Sequence, residues 1–146
     1  MPGIIVGIDG SGHSQAALEW AVREAGIRQA PLTVLTVHEV AASGWGGSMV
    51  YPADDAIREE NRKAAQEAAD QAVQQAGAQA PPAVTVQAVS GTPAEALVEA
   101  SRDADLLVVG SRGAGGFARL LLGSVSTEVS HHAHCPIVIV PAGPRE

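Results

Sequence analysis

Asp105 to Val125 reads DLLVVGSRGAGGFARLLLGSV. Leu106 to Val109 is an apolar run that reads as a buried strand. The strand empties into Gly110, and Gly113, Gly115 and Gly116 follow; a short apolar segment then leads to Gly123-Ser124. A helix starting at Ser124 would place backbone N–H groups and a hydroxyl beside those glycines. A strand that ends in glycines and restarts as a helix suits a small anion, most simply a nucleotide phosphate.

The rest of the chain fits the same frame. Gly3 to Ile8 reads as a fully buried first strand, apolar on both parities as in a parallel sheet covered on both faces, and Asp9-Gly10-Ser11-Gly12 as the turn after it. Ser14 is placed to cap a helix over Gln15 to Gly26, with Ala17, Leu18, Ala21 and Ala25 near helical spacing. Leu32 to Val37, β-branched, is the second strand. A longer loop follows over roughly His38 to Ala53 and contains Trp45 and Tyr51-Pro52; a loop of that length is functional or mobile. Asp54-Asp55 favour the start of a long alanine-faced helix that Gly77 ends near Ala76, with Glu59 and Lys63 spaced for an i,i+4 pair. Val84 to Val89 is the third strand. Thr92, Pro93 and Glu95 then spell a capping box for a helix that ends near Arg102. The fourth strand is Leu106 to Val109, the last helix runs from Ser124 to about His132, and Ile137 to Val140 is the fifth strand. Alternation of strand and helix predicts a five-stranded α/β sandwich with right-handed crossovers, with ligands at the carboxyl ends of the strands where strand order reverses.

Composition narrows the function. At 146 residues the chain is expected to form one domain, residues 1–146, with a real core. A net charge of −7 and a single lysine, Lys63, argue against nucleic acid as a partner. The lone cysteine, Cys135, fits a reducing compartment. No apolar stretch is long enough for a membrane span, and MPGIIVGIDGS lacks a signal-peptide layout, so the expected location is the cytoplasm.

The phosphate motifs that support fast chemistry are absent. Gly7, Gly10 and Gly12 match a dinucleotide fingerprint only weakly, and Gly123-Ser124 has no lysine before it. Without that point charge or an evident base, rapid phosphoryl transfer is poorly supported. Binding is supported: Gly110, Gly113 and Gly123 permit close backbone approach, Ser124 and Ser126 offer hydroxyls, and Arg112 and Arg119 are candidate cations. His13 lies beside this region. Asp9 can cap its turn, orient a ribose or hold Mg²⁺ through water; position alone does not choose among these.

The spacing Gly110, two residues, Gly113, nine residues, Gly123-Ser124 resembles the nucleotide-binding signature of the universal stress protein family. IIVGIDGS, GTPAEALVEA and CPIVIVP are similar to the family's other conserved blocks, so the resemblance covers essentially the whole chain. It implies an adenine-nucleotide alpha-hydrolase-like (Rossmann-like) fold, a five-stranded parallel sheet sandwiched by helices in strand order 3-2-1-4-5. It also implies ATP, with or without Mg²⁺, in the crevice. Asp9 would then lie near the adenosine, and Val37 at the end of strand 2 would contact adenine. Gly110, Arg112, Gly113, Gly123, Ser124 and Ser126 would take ribose and phosphates, with Val125 supporting the helix start. Many relatives carry His where this chain has Thr36, and here His38 falls just past Val37.

Two further features admit bland readings. His131, His132, His134 and Cys135 are zinc-type ligands, but neighbours at a helix end rarely converge on one tetrahedral site, so no metal is expected. The apolar strand Ile137 to Val140 would leave an exposed edge. The family pairs this strand across a dimer axis, which implies a homodimer. Trp45 could close over the crevice or sit in a subunit contact. The expected function is nucleotide-linked regulation in a stress response, with little or no hydrolysis. The alternatives are a slow ATP hydrolase yielding AMP or ADP, and a nucleotide-free interaction module.

Overall fold

The computed structural model describes residues 3–9, 12–39, 52–111 and 123–141. Along the chain run β1 (Ile4–Ile8), α1 (Gly12–Arg28), β2 (Leu32–Glu39), α2 (Pro52–Ala76), β3 (Val84–Gly91), α3 (Pro93–Ala100), β4 (Leu106–Gly110), α4 (Ser124–His132) and β5 (Ile137–Val140). Single 3-10 turns follow α2 at Gly77–Gln79 and α3 at Ser101–Asp103. Every strand pair is parallel, and the order is β3-β2-β1-β4-β5. This is the five-stranded parallel sheet with flanking helices, in the order that the resemblance implied.

Chirality decides where the helices go. The chain steps one way across the sheet from β1 to β2 to β3, and the other way from β3 to β4 to β5. Right-handed crossovers therefore put α1 and α2 on one face and α3 and α4 on the other. The two cores follow that division. On the first face Ile4, Val6, Val34 and Val108 meet Leu18 and Val22 of α1 and Ala65, Ala69 and Ala72 of α2. On the second, Leu35, Leu107 and Val109 meet Ala94 and Leu97 of α3 and Val129 of α4. β4 serves both cores, Leu106 and Val108 on one and Leu107 and Val109 on the other, which is why its run is apolar on both parities.

Several local expectations are corrected. β2 and β3 run past Val37 and Val89 because each supplies the other's partner to the end: His38 pairs with Ser90 and Glu39 with Gly91. The expected loop from His38 therefore narrows to residues 40–51, which lie outside the described residues and include Trp45. α1 does not stop at Gly26. It ends two residues later, where Gln29 adopts φ 52°. The Gln29 N–H donates to the Gly26 carbonyl at 3.3 Å and the Ala30 N–H to that of Ala25 at 2.9 Å, the paired bonds of a left-handed helix stop. Gly26 has a different purpose: a Cβ there would collide with the backbone carbonyl of Gln79. Gly77 does stop α2, at φ 60°. α2 begins at Pro52, ahead of the two aspartates, since proline suits a first turn whose N–H groups have no helical partner. Glu59 pairs with Arg62 rather than Lys63, through bonds of 2.7 and 3.0 Å that hold its carboxyl below the usual range.

Candidate functional site

Strand register brings the predicted residues to one rim. Ile8 pairs with Thr36, so the next residues, Asp9 just past β1 and Val37 two residues before the end of β2, are level. Val6 pairs with Val108, which sets Gly110 level with Ile8 on the other side. Neighbouring strands lie about 4.8 Å apart, so Val37 and Gly110 stand roughly 10 Å apart with the end of β1 between them. β1 and β4 are adjacent, yet their chains leave toward opposite faces, α1 to one and α4 to the other. That is the point where a crevice opens in such sheets.

The two turns at this point are built on hydroxyls. After β1, the exposed Asp9 has its N–H donating to Ser14 Oγ at 3.3 Å. Ser14 was expected to cap the helix, but α1 starts at Gly12 and Ser14 is its third residue, buried at 5% exposure. After β4, the Ser111 N–H donates to the Val140 carbonyl at 2.9 Å and the Ser111 carbonyl accepts the Gly123 N–H. Ser126 Oγ lies 3.2 Å from the Ser111 carbonyl and 3.1 Å from that of Gly123, so its one proton is shared between them.

α4 starts at Ser124, as expected. Gly123, not Ser124, is its N-cap, in extended conformation and with no side-chain cap. Ser124 is the first helical residue and exposed; Val125 is half-buried against the second core. Ser126, expected to face ligand, is only 2% exposed and engaged with carbonyls. Arg112 and Gly113 lie outside the described residues, as does Arg119, and His13 is placed in α1 with its side chain undescribed. The capping box of α3 is also looser than its sequence: Thr92 is the N-cap and Pro93 follows, but the threonine side chain makes no cap bond.

Beyond the exposed Asp9 carboxylate at the end of β1, the two helix starts here, those of α1 and α4, bear no first-turn acid. α3, which starts elsewhere on the rim, carries Glu95. The positive ends of α1 and α4 are therefore left without a neutralising carboxylate of their own.

The histidine group stays dispersed. His131 and His132 occupy the last turn of α4, where imidazole suits the dipole, with ring centroids 6.3 Å apart. Cys135 is half-buried, its Sγ 3.4 Å from the Pro136 carbonyl, and burial, with the Asp105 carboxylate adding to it, pushes the thiol up. Among the described residues no three His, Cys, Asp or Glu side chains are grouped to hold a metal, and no helix is long and apolar enough to cross a membrane.

Sequence reading missed Ser101. It is fully buried after α3, donating to the Val98 carbonyl at 2.6 Å and accepting the His134 N–H at 2.9 Å, which ties α3 to the approach to β5. A serine at a helix end carries no signal of such a distant partner.

Comparison with known proteins agrees with this architecture. The universal stress protein family matches residues 2–141. A universal stress protein of Mycolicibacterium smegmatis is 37% identical over 139 residues, covering 94% of this chain and 47% of that protein. One from Mycobacterium tuberculosis is 38% identical over 139 residues, with the same coverage of 94% and 47%. The chain thus spans about half the length of the curated relatives it matches. Among solved structures, UspA from Lactobacillus plantarum superposes with a TM-score of 0.73 at 27% identity, covering 95% of this chain and 97% of that one. A universal stress protein solved in complex with cAMP superposes with a TM-score of 0.68 at 28% identity, covering 97% and 98%. With the family matched across nearly all of its length and the strand order in agreement, the chain belongs to the universal stress protein family.

Proposed function

We propose that this chain is one cytoplasmic domain that binds an adenine nucleotide, ATP first, across the rim where β1 and β4 diverge. In this reading it acts in a stress response through nucleotide-linked regulation, with little or no hydrolysis. The observation that carries the reading is the pair of helix starts, α1 and α4, both without a first-turn acid and both opening at the switch point. The relative solved with cAMP supports the ligand class. Asp9 and Val37 would meet the adenosine. Gly110, Arg112, Gly113, Gly123 and Ser124 would meet ribose and phosphates, with Val125 backing the α4 start. Any Mg²⁺ would be held by the phosphate oxygens and water, the hard oxygen ligands that ion prefers. We also read the β5 edge, where Ile137, Val138 and Ile139 remain half-buried, as the pairing edge of a homodimer.

Calorimetry with ATP, AMP and cAMP on the purified protein, run beside a magnesium-dependent turnover assay, tests this. Binding of ATP without turnover, weakened about 3- to 10-fold by Ser124→Ala through loss of one hydroxyl, is the expected result. Turnover abolished by Asp9→Asn would make the protein a slow hydrolase instead. No heat with any nucleotide would leave it an interaction module.

A further inference from the structure

We propose that Ser14 and Ser126 are a matched pair of positioning residues for the crevice, Ser14 setting its adenosine end and Ser126 its phosphate end. The assignment of ends rests on the adenine-nucleotide reading above. The pairing itself rests on geometry. Each serine is the third residue of its helix, Gly12-His13-Ser14 in α1 and Ser124-Val125-Ser126 in α4. Each helix is the next described element after one of the two strands at the switch point, β1 or β4. Both serines are buried, at 5% and 2% exposure. The third residue of α3, which starts away from this point, is the exposed Glu95.

A hydroxyl taken out of water must find a partner, and these find theirs in the strand-to-helix turns rather than along the helix alone. Ser14 Oγ accepts the N–H of Asp9 and so fixes the backbone that carries the rim carboxylate. Ser126 Oγ donates to the carbonyls of Ser111 and Gly123, the described residues on either side of residues 112–122. With the Gly123 N–H also on the Ser111 carbonyl, that oxygen gathers two donors. Ser126 therefore holds the α4 N-terminus against the end of β4, and the N–H groups that would face phosphate take their position from it.

A general packing role would weaken every ligand alike, whereas a positioning role is selective by ligand part. The test is calorimetry of adenosine and of ATP on the full chain, wild type, Ser14→Ala and Ser126→Ala, with amide exchange measured by NMR. Ser126→Ala should weaken ATP about 3- to 10-fold, the worth of one net hydrogen bond, while adenosine changes less than about twofold. The Gly123 amide should exchange faster. Ser14→Ala should weaken adenosine and ATP by a common factor, leave the binding of inorganic triphosphate unchanged and speed exchange of the Asp9 amide; an equal loss of triphosphate binding would overturn the assignment of Ser14. Ser126→Cys keeps a similar volume with a weaker donor and should show the same ATP-selective loss, so the proposal remains decidable if the alanine variant does not fold. An equal loss of both ligands in the Ser126 variants, or unchanged ATP affinity, would overturn the proposal while wild-type binding keeps the nucleotide reading intact. Wild-type protein that binds neither ligand would overturn both.

Discussion

On one face of the sheet lie α1 and α2, 17 and 25 residues long, seated through alanines. On the other lie α3 and α4, of 8 and 9 residues, which bury only Ala94, Leu97 and Val129 as apolar side chains; they bury Ser126, as α1 buries Ser14. Small residues let the long helices approach the strands and each other closely, and dispersion over many turns holds them. Helices of two turns are too short to be stable alone. They depend on tertiary anchors, and here two of those anchors are the hydroxyls of Ser101 and Ser126. The close-packed face supplies stability. The short-helix face relies more on single anchors to set where helix ends and loop stems sit, and half of the candidate site is built from it.

The contrast is broken most severely at Gly26. Alanine is the better helix former by about 1 kcal/mol, so an exposed Gly→Ala change would stabilise α1. At Gly26 the new Cβ meets the backbone carbonyl of Gln79, which no rotamer change can move. Overpacking against backbone outweighs the propensity gain, and Gly26→Ala should destabilise the fold by about 3 kcal/mol. Chemical denaturation checks this. A stabilised variant would mean that α1 and the turn after α2 are not in close contact.

The same contrast explains what could be read from the chain beforehand. The apolar run Leu106 to Val109 marked β4 as a buried strand, and the strand and helix alternation matches the nine described strands and α-helices in order. The register that joins Asp9, Val37 and Gly110 at one rim follows from strand order, which the family resemblance carried and periodicity did not. Local signals failed where a tertiary partner decides. Gly26 reads as a helix stop but is a close-approach site, and Ser14 reads as a cap but turns back to Asp9. Ser126 reads as a ligand group but binds two carbonyls. Glu59 finds Arg62 because a guanidinium three residues on can meet both carboxylate oxygens, which a lysine ammonium does not match.

A middle-sized effect is expected on the polar face at Ser101. Its hydroxyl donates to Val98 and accepts from His134, so Ser101→Ala removes both bonds and leaves the His134 N–H without that acceptor. A buried polar anchor of this kind is worth about 2 kcal/mol. Hydrogen exchange should show the loss concentrated in α3, α4 and the approach to β5, with α1 and α2 protected as before. Uniform loss across both faces would remove the distinction between them.

The smallest effect is expected at Gly7, and it is the most informative partner to Gly26. Gly7 faces the second core, where an added Cβ would lie 2.8 Å from Leu97 Cδ2 and 3.1 Å from Leu97 Cδ1. The overlap is real, but the obstacle is the far end of a side chain on a two-turn helix rather than a carbonyl in the backbone. Leu97 can rotate, and α3 can shift by a fraction of an ångström. Replacing a strand glycine also lowers the entropy of the unfolded chain by roughly 0.5–1 kcal/mol. Clash and entropy should nearly cancel, leaving Gly7→Ala within about 1 kcal/mol of wild type. The same one-carbon addition would then differ several-fold in cost between the faces. A loss at Gly7 equal to that at Gly26 would show the short-helix face to be packed as rigidly as the alanine face, and the division of labour between them would fall.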